Sequence, residues 1–183
     1  MTNENLVSQP FMEHLIEFRN RVLRAVASVA VIFIGLISFS NELYLYVSEP
    51  LRKYLPESSS MIATDVASPF LTPFKLTLVL SMFAAMPYIL FQIWAFVAPG
   101  LYQREKRIVI PLFCSSVLLF YAGMAFAYYI VFPLVFMFFT SVGPEGVAIM
   151  TDIRSYLDFV LKLFFAFGIS FEIPIAVVIL SWM

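Results

Sequence analysis

Glutamates placed beside arginines or inside apolar stretches carry the first chemistry that this sequence offers. Glu17 stands in HLIEFRNRVLR, among Arg19, Arg21 and Arg24, directly before a long apolar run. One interpretation is a charged anchor at a membrane surface, in which Glu17 pairs with Arg21 at the helical spacing of four residues. Such a pair contributes only about 0.2–0.5 kcal/mol at a surface. The other interpretation is a binding site, and these residues alone leave both open.

Two further glutamates stand out by their surroundings. Glu172 lies near the middle of the apolar stretch FGISFEIPIAV, where an ionised and unpaired carboxylate is costly. It is therefore predicted to be protonated, to face a wet cavity or to meet a polar group of a partner. Glu105 lies among three basic residues in GLYQREKR, where it either softens their repulsion or binds a ligand. Lys162 is predicted to extend its ammonium group toward the membrane surface.

The composition defines the class of protein that positions these groups. Of the 183 residues, 62% are hydrophobic and only 13% are charged, against about 25% charged in an ordinary soluble domain. This indicates an integral membrane protein and makes nucleic acid an unexpected partner. With one cysteine, Cys114, and one histidine, His14, no intrachain disulfide, metal site or other cofactor is predicted. No nucleophile stands beside a base in the apolar stretches, so no enzyme is predicted.

Four apolar stretches approach the length of about 20 residues that crosses a bilayer. They are predicted to be helices, since backbone in hydrocarbon must satisfy its own hydrogen bonds and no alternating barrel pattern is visible. The predicted spans are residues 22–39, 76–97, 108–135 and 159–182. The third apolar stretch continues to about Phe139, which predicts tilt, a kink near Pro133 or a helix that continues beyond the lipid. The fold class is an all-α integral membrane protein, a polytopic helical bundle within a single membrane domain.

The basic residues predict the orientation of this bundle. They concentrate before the first span and between the second and third spans: Arg19, Arg21, Arg24, Arg104, Lys106 and Arg107. The positive-inside rule therefore places residues 1–21 and 98–107 in the cytoplasm and residues 40–75 and 140–158 in periplasmic loops. Near-helical spacing around Pro50 predicts a short interfacial helix, followed by an extended piece, that covers the outer ends of the spans. The ending VVILSWM carries no polar tail, which indicates a piece of a longer protein.

Six motifs, in this order and spacing, carry a resemblance to a known family. They are HLIEFRNR, SEPL, MIATDVASPF, FQIWAFVAPGLYQREKR, FYAGMAFAYYIVFPL and FGISFEIP. From His14 to Met183 the chain resembles the TatC family, the multi-span subunit of the twin-arginine protein translocase. The resemblance implies six spans with both termini in the cytoplasm, of which this chain would hold the first four. It also implies a multi-pass location in the cytoplasmic (inner) membrane of a bacterium.

The resemblance further implies a receptor for twin-arginine signal peptides of folded cargo. Such a receptor self-associates, works with TatB-like and TatA-like single-span proteins in the bilayer, and uses the proton-motive force. The implied signal-peptide-binding residues are Glu17, Glu105, Arg19, Phe96 and Pro99. The family's intramembrane glutamate falls on Glu172, for contact with a polar side chain of a partner, and its outer-loop proline falls on Pro50. Guanidinium groups bind carboxylates in a planar bidentate geometry that an ammonium cannot reproduce, which suits an acidic receptor for paired arginines.

One alternative from another functional class is a proton-coupled small-solute transporter in which Glu172 carries the proton. It requires a second polar group within the spans that faces Glu172. The sequence offers few such groups, chiefly Ser115, Ser116, Ser170 and the tyrosines.

Overall fold

The chain folds almost entirely into helices. The computed structural model describes residues 4–54, 61–97, 106–141 and 151–182. Its α-helices are α1 (Glu4–Leu36), α2 (Ser40–Tyr54), α3 (Ser68–Ala84), α4 (Met86–Val97), α5 (Lys106–Phe126), α6 (Phe132–Ser141) and α7 (Ile153–Trp182). A 3₁₀ turn, Ile37–Phe39, joins α1 to α2, and a π-helical segment, Ala127–Val131, joins α5 to α6. Within these ranges no strand forms beyond one isolated bridge between Ile62 and Asp152, so the predicted all-helical class is confirmed.

Three helical stretches are long and apolar enough to cross a membrane. They are Met12–Glu49, Ile110–Phe139 and Ile153–Val178. Helices α3 and α4 form a fourth crossing element if their bent pair is taken as one span. The helices also extend beyond the apolar stretches, because a helix satisfies its backbone hydrogen bonds internally whether its side chains are polar or apolar. The chain therefore has three or four membrane-crossing elements, and a count of four stays a prediction.

A break at Ala85 divides the second predicted span. Helices α3 and α4 meet there at a bend of 49°. Pro87, in the first turn of α4, has no N–H for the carbonyl of Phe83 four residues earlier, and its ring crowds that carbonyl. The Tyr121 hydroxyl of α5 donates to the Phe83 oxygen at 3.0 Å. Residues 76–97 therefore form parts of two helices joined at a bend, because proline ends one helix and a neighbouring helix satisfies the freed carbonyl. That they cross the membrane as one span stays a prediction.

The long third apolar stretch remains helical through its irregular part. The π-helical segment Ala127–Val131 ends two residues before Pro133, and α6 continues to Ser141. Proline lacks the N–H of an ordinary helical residue and crowds the carbonyl of Tyr129 four residues earlier, so a widened turn relieves the clash. The irregularity thus lies beside Pro133, and the helix runs past the predicted end at residue 135.

Close contact between α5 and α7 builds the centre of the bundle. A Cβ atom on Gly123 would stand 2.6 Å from the backbone oxygen of Phe167, and one on Gly168 would stand 2.8 Å from the ring of Phe120. Small residues allow membrane helices to approach this closely. Phenylalanines fill the surrounding core: Phe83, Phe120, Phe132, Phe136 and Phe164. The two glycines therefore set the distance between α5 and α7.

Replacing Gly123 with alanine is expected to destabilise the bundle. The new methyl group meets the backbone oxygen of Phe167, which cannot turn away as a side chain can. Overpacking of this kind typically costs about 1–3 kcal/mol. The thermal midpoint of the protein in detergent, followed by loss of its monodisperse chromatographic peak, should fall. Gly35→Ala is the matched control, since nothing lies within 4 Å of its added Cβ; equal midpoints for both variants would contradict the close approach.

Helix α2 closes one end of the bundle, where the sequence predicts a short helix around Pro50. Pro50 lies within α2. The Tyr156 hydroxyl of α7 donates to the Val47 carbonyl at 3.0 Å, and the Tyr128 hydroxyl donates to the Tyr46 carbonyl at 3.2 Å. These bonds fasten α2 to the bundle and argue against a solvated loop. The predicted extended piece is shorter than expected, because residues from Ser68 onward already belong to α3.

Asp152 fastens the segment before α3 to the start of α7. Its Oδ2 accepts from the N–H and hydroxyl of Ser155, and its Oδ1 accepts from the N–H and hydroxyl of Thr64, all at 3.0–3.2 Å. These hydrogen bonds, led by the one from the Ser155 N–H, lower the pKa of Asp152 to about 2. A depressed pKa stabilises the folded state above the unfolded value of 3.8, and this contribution disappears as the pH falls toward 2. The connection is therefore fully formed at neutral pH.

Candidate functional site

The charged stretch near the N-terminus lies on α1, and one face of it packs against α4. Side chains at spacings of three, four and seven residues share a helix face. On this face of α1 lie His14, Glu17, Phe18 and Arg21. The His14 ring stacks on Phe96 of α4 with centroids 4.3 Å apart, and the Phe18 ring lies 5.6 Å from that of Phe96. The structure thus brings the predicted site residues Glu17 and Phe96 to one surface.

Arg21 joins Glu17 to α4. Its Nε and Nη2 donate to Oε1 of Glu17 at 2.9 Å and 2.6 Å. Its Nη1 donates to Oε1 of the buried Gln92 at 3.3 Å. The predicted ion pair of Glu17 with Arg21 is therefore present, and through Gln92 it also forms part of the contact between α1 and α4. Both nitrogens use the same carboxylate oxygen, and Oε2 of Glu17 has no bond to any residue that the structure describes.

Glu17 also lines an open depression. A depression of about 370 Å³ runs along α1 at this point. Its lining residues are Glu13, Ile16, Glu17, Asn20, Arg21 and Arg24. The Glu17 side chain is 38% exposed and that of Arg21 is 20% exposed, so the carboxylate is accessible while its internal partner is largely covered. A cationic ligand can therefore reach Oε2 without unfolding the helix contact.

The other residues predicted for this site fall in different places. Arg19 is exposed and donates to the neighbouring Asn20 at 3.3 Å, so the structure shows no contact from it to Glu17. Pro99 and Glu105 lie outside the described residues. Pro50, on α2, lies beyond the other end of α1. Of the three predicted signal-peptide residues that the structure describes, Glu17 and Phe96 thus belong to the contact between α1 and α4, and Arg19 does not.

Glu172 occupies a separate polar position between α5 and α7. The Ser116 hydroxyl donates to its Oε2 at 2.7 Å. Its Oε1 is buried and has no hydrogen-bond partner among the described residues. The surroundings are apolar, since Ile175 on the same helix packs against Leu90 and Trp94 of α4. One carboxyl oxygen is therefore held in place, and the other is left with unused bonding capacity in an apolar site.

The glycine contact explains why the Ser116 hydroxyl reaches Glu172. Ser116 and Gly123 are seven residues apart on α5, and Gly168 and Glu172 are four residues apart on α7, so each pair shares one helix face. Close approach at the glycines brings the same two faces together near the polar pair. The sequence offered Ser116 only as one of several candidates to face Glu172, and the structure selects it.

Sequence reasoning assigned no role to His14 and missed Gln92. The spacing of residues along α1 and α4 carries a signal for both His14 and Gln92. His14 and Phe18 are four residues apart on α1, and Gln92 and Phe96 are four residues apart on α4. Gln92 is also the one polar residue within the apolar run YILFQIWAFV. A polar residue inside such a run predicts a partner on a neighbouring helix.

Comparison with known families agrees with this architecture. A family model described as TatC, Sec-independent protein translocase protein, matches residues 13–183. The match covers α4, α5 and α7 and the part of α1 that follows residue 12. The chain belongs to the TatC family.

TatC proteins of bacteria are similar to the chain over nearly its whole length. The protein of Azotobacter chroococcum is 64% identical over 173 residues, which are 94% of this chain and 68% of that protein. The protein of Escherichia coli K12 is 57% identical over 176 residues, with 96% of this chain and 68% of that protein covered. Both are described as Sec-independent protein translocase protein TatC. The chain thus spans about two thirds of the length of these TatC relatives.

A solved structure is also similar to the chain. It is described as the twin arginine translocase receptor TatC and superposes with a TM-score of 0.83 at 35% identity, covering 91% of this chain and 74% of that one. As a TatC family member with several membrane-crossing helices, the chain is a multi-pass membrane component of the twin-arginine translocation system. It acts in protein transport with other Tat proteins and is not an enzyme.

Proposed function

We propose that this chain is the receptor that binds Arg-Arg signal peptides of folded proteins. With TatB-type and TatA-type partners it mediates their export across the cytoplasmic membrane, driven by the proton-motive force. The observation that carries the proposal is the carboxylate of Glu17, which lines the open depression, holds one internal guanidinium on Oε1 and has no bond from Oε2 to any described residue. The similar solved structure is itself described as a receptor, which supports the proposal.

The pair with Arg21 indicates how a signal-peptide arginine binds. A carboxylate has about four acceptor sites on its two oxygens, and Arg21 occupies only the Oε1 side. An incoming guanidinium donates to Oε2 and shares Glu17 with Arg21. A lysine presents a compact, strongly hydrated ammonium with no planar fork, so it gains less at the same carboxylate. The stacked rings of His14 and Phe96, at the same contact between helices, add a flat surface suited to a guanidinium plane.

The second arginine of the signal requires a second acidic group, and we assign Glu105 to it. Glu105 belongs to the connection between α4, which ends at Val97, and α5, which begins at Lys106. Phe96 stands at that end of α4 and contacts the α1 face that carries Glu17. Both acidic groups then belong to the cytoplasmic end of the bundle, together with Pro99 and the exposed Arg19. The excess of basic residues at this end supports the orientation with the N-terminus inside.

Partner proteins are assigned to Glu172. In this proposal its Oε1, which has no partner among the described residues, bonds to a polar side chain of a single-span Tat protein. An unsatisfied carboxyl oxygen in an apolar site favours such a contact, because the bond replaces hydration that the membrane interior cannot supply. In this proposal α2, which contains Pro50, lies at the opposite, periplasmic end.

Peptide binding tests the receptor function directly. The protein is reconstituted in lipid nanodiscs, and a fluorescent twin-arginine peptide is titrated by anisotropy beside a version with two lysines. Hydrogen bonds to charged groups contribute about 1.5–3 kcal/mol, so the arginine peptide should bind about ten- to a hundredfold more tightly. Equal affinities would contradict the proposal. Solute uptake by vesicles that contain this protein alone would instead support the transporter.

A further inference from the structure

A cavity lies at the α2 end of the bundle, between the start of α3 and the start of α7. Its volume is about 340 Å³. Apolar side chains of α3 form one wall: Leu71, Phe74 and Leu78. Charged side chains from both sides complete the lining: Asp65, Lys75, Arg154 and Asp158. The cavity therefore combines side chains of both charge signs with an apolar wall.

Its charges are only partly paired with one another. Lys75 forms an ion pair with Asp158 across α3 and α7. Asp65 and Arg154 then remain, one of each sign, and the structure shows no ion pair from either of them to any described residue. Two opposite charges that line one cavity without forming an ion pair are complementary to a ligand that carries one positive and one negative group.

Ser68 gives an independent sign of a ligand. It is 2% exposed, lines the cavity, and its Oγ has no hydrogen-bond partner among the described residues. Buried polar groups in folded proteins are nearly always hydrogen-bonded. A hydroxyl donates readily to an anionic oxygen. The buried Ser68 hydroxyl is therefore expected to donate a hydrogen bond to an acceptor bound in this cavity, at the end where α3 begins.

The place of the cavity along the helices indicates an amphipathic ligand. Arg154 lies in the first turn of α7, where the membrane-crossing stretch Ile153–Val178 begins. Leu71 and Leu78 follow the cavity inward along α3, and Leu71 is 52% exposed. A polar group at the boundary of a crossing helix, continued by an exposed apolar wall, has the pattern of a lipid that stands upright in one leaflet.

We propose that this cavity binds the headgroup of phosphatidylethanolamine. Arg154 and the Ser68 hydroxyl donate to the phosphate oxygens, and Asp65 accepts from the primary ammonium. The first acyl carbons lie along Leu71 and Leu78. A choline headgroup has no N–H to donate to Asp65, and a glycerol headgroup has no cation, so the cavity selects the ethanolamine. This site is independent of signal-peptide binding, which is assigned to the other end of the bundle.

The cavity is held open before any lipid enters. Thr64, next to Asp65, and Ser155, next to Arg154, are both bonded to Asp152 at 3.0–3.2 Å. This single carboxylate therefore fixes the two segments that carry the unpaired charges. Preorganisation of this kind reduces the ordering cost of binding.

Lipid selectivity of the purified protein tests the proposal. Native mass spectrometry of the full chain in detergent measures retention of added phosphatidylethanolamine, phosphatidylcholine and phosphatidylglycerol. Phosphatidylethanolamine should be retained about tenfold more strongly than the other two. Equal retention of all three would overturn the proposal, and so would a failure of excess free phosphoethanolamine to displace the lipid, since that molecule carries both groups that the cavity is proposed to bind.

Matched variants locate the site. Arg154→Gln and Asp65→Asn change exposed side chains. Asp65→Asn should remove the preference for phosphatidylethanolamine, whereas Arg154→Gln loses a contact with the phosphate that all three lipids share and should weaken the retention of all three. Lys162→Gln is the control, since it removes a cation of α7 that does not line the cavity, and it should leave the preference unchanged. A retained preference in Asp65→Asn, unchanged retention of all three lipids in Arg154→Gln, or loss of the preference in Lys162→Gln would overturn the assignment to this cavity.

Discussion

Replacing Glu17 with arginine abolishes binding of a twin-arginine peptide while the chain still inserts into the membrane. The substitution removes both carboxylate oxygens and places a third cation beside Arg21 and Arg24, which repels the incoming guanidinium. The side chain of Glu17 on α1 is 38% exposed, so an arginine at this position can extend into solvent without a change in packing. Anisotropy titration of the labelled peptide measures the loss, and membrane fractionation confirms insertion.

Arg21→Gln separates a receptor role of Glu17 from a structural one. This variant breaks the same ion pair from the other side and keeps the carboxylate. A partly exposed pair contributes about 0–1 kcal/mol, so the helix contact tolerates the change. Peptide binding should persist or become tighter, because Oε1 is released for the peptide. If Glu17→Arg and Arg21→Gln lose peptide binding to the same extent, binding depends on the ion pair between these two residues. Glu17 would then not bind the peptide arginine itself.

Replacing Glu172 with alanine stops transport of a twin-arginine cargo, whereas replacing it with glutamine preserves a substantial part. Glutamine keeps two polar atoms at the end of its side chain, the amide oxygen and the amide nitrogen. It can therefore still form hydrogen bonds with Ser116 and with a polar group of a partner. Alanine leaves Ser116 unpaired in an apolar site, at a cost of about 1–3 kcal/mol, and removes the partner contact. Export of a folded reporter to the periplasm measures both variants.

This comparison also distinguishes the alternative function. A proton carrier requires a group that titrates, so glutamine would then be as inactive as alanine. The structure does provide one requirement of the transporter, a polar group that faces Glu172, in Ser116. Ser116→Ala should weaken transport, and Ser115→Ala is its control, because Ser115 is exposed and donates to its own helix at the Pro111 carbonyl, 2.9 Å away. Equal transport in these two serine variants would argue against positioning of Glu172 by Ser116.

The features that the sequence predicts well are those contained within one helix. The pairing of Glu17 with Arg21 follows from a spacing of four residues and needs no knowledge of other helices. The all-helical class follows from composition, since a chain this apolar must satisfy its backbone within each segment. Family membership follows from the order of the motifs, which the family match over residues 13–183 confirms.

The features that escape prediction depend on how helices turn toward one another. Gln92 meets Arg21 across 71 residues of sequence, and no spacing within α1 reveals it. Ser115 and Ser116 are adjacent, but neighbouring residues point about 100° apart on a helix, so only the rotation of α5 decides which one faces Glu172. The break at Ala85 had a local signal in Pro87, which a search for apolar length alone overlooks.

We propose that Glu17 distinguishes a guanidinium from an ammonium through the oxygen that Arg21 leaves unbonded. The most direct test measures affinities of the Arg-Arg and Lys-Lys peptides for the unmodified protein and for Glu17→Gln, as a double-mutant cycle. The preference for arginine should fall by about tenfold in the variant, since one charge-assisted contact is lost. An unchanged preference, with both peptides weakened equally or not at all, would contradict it.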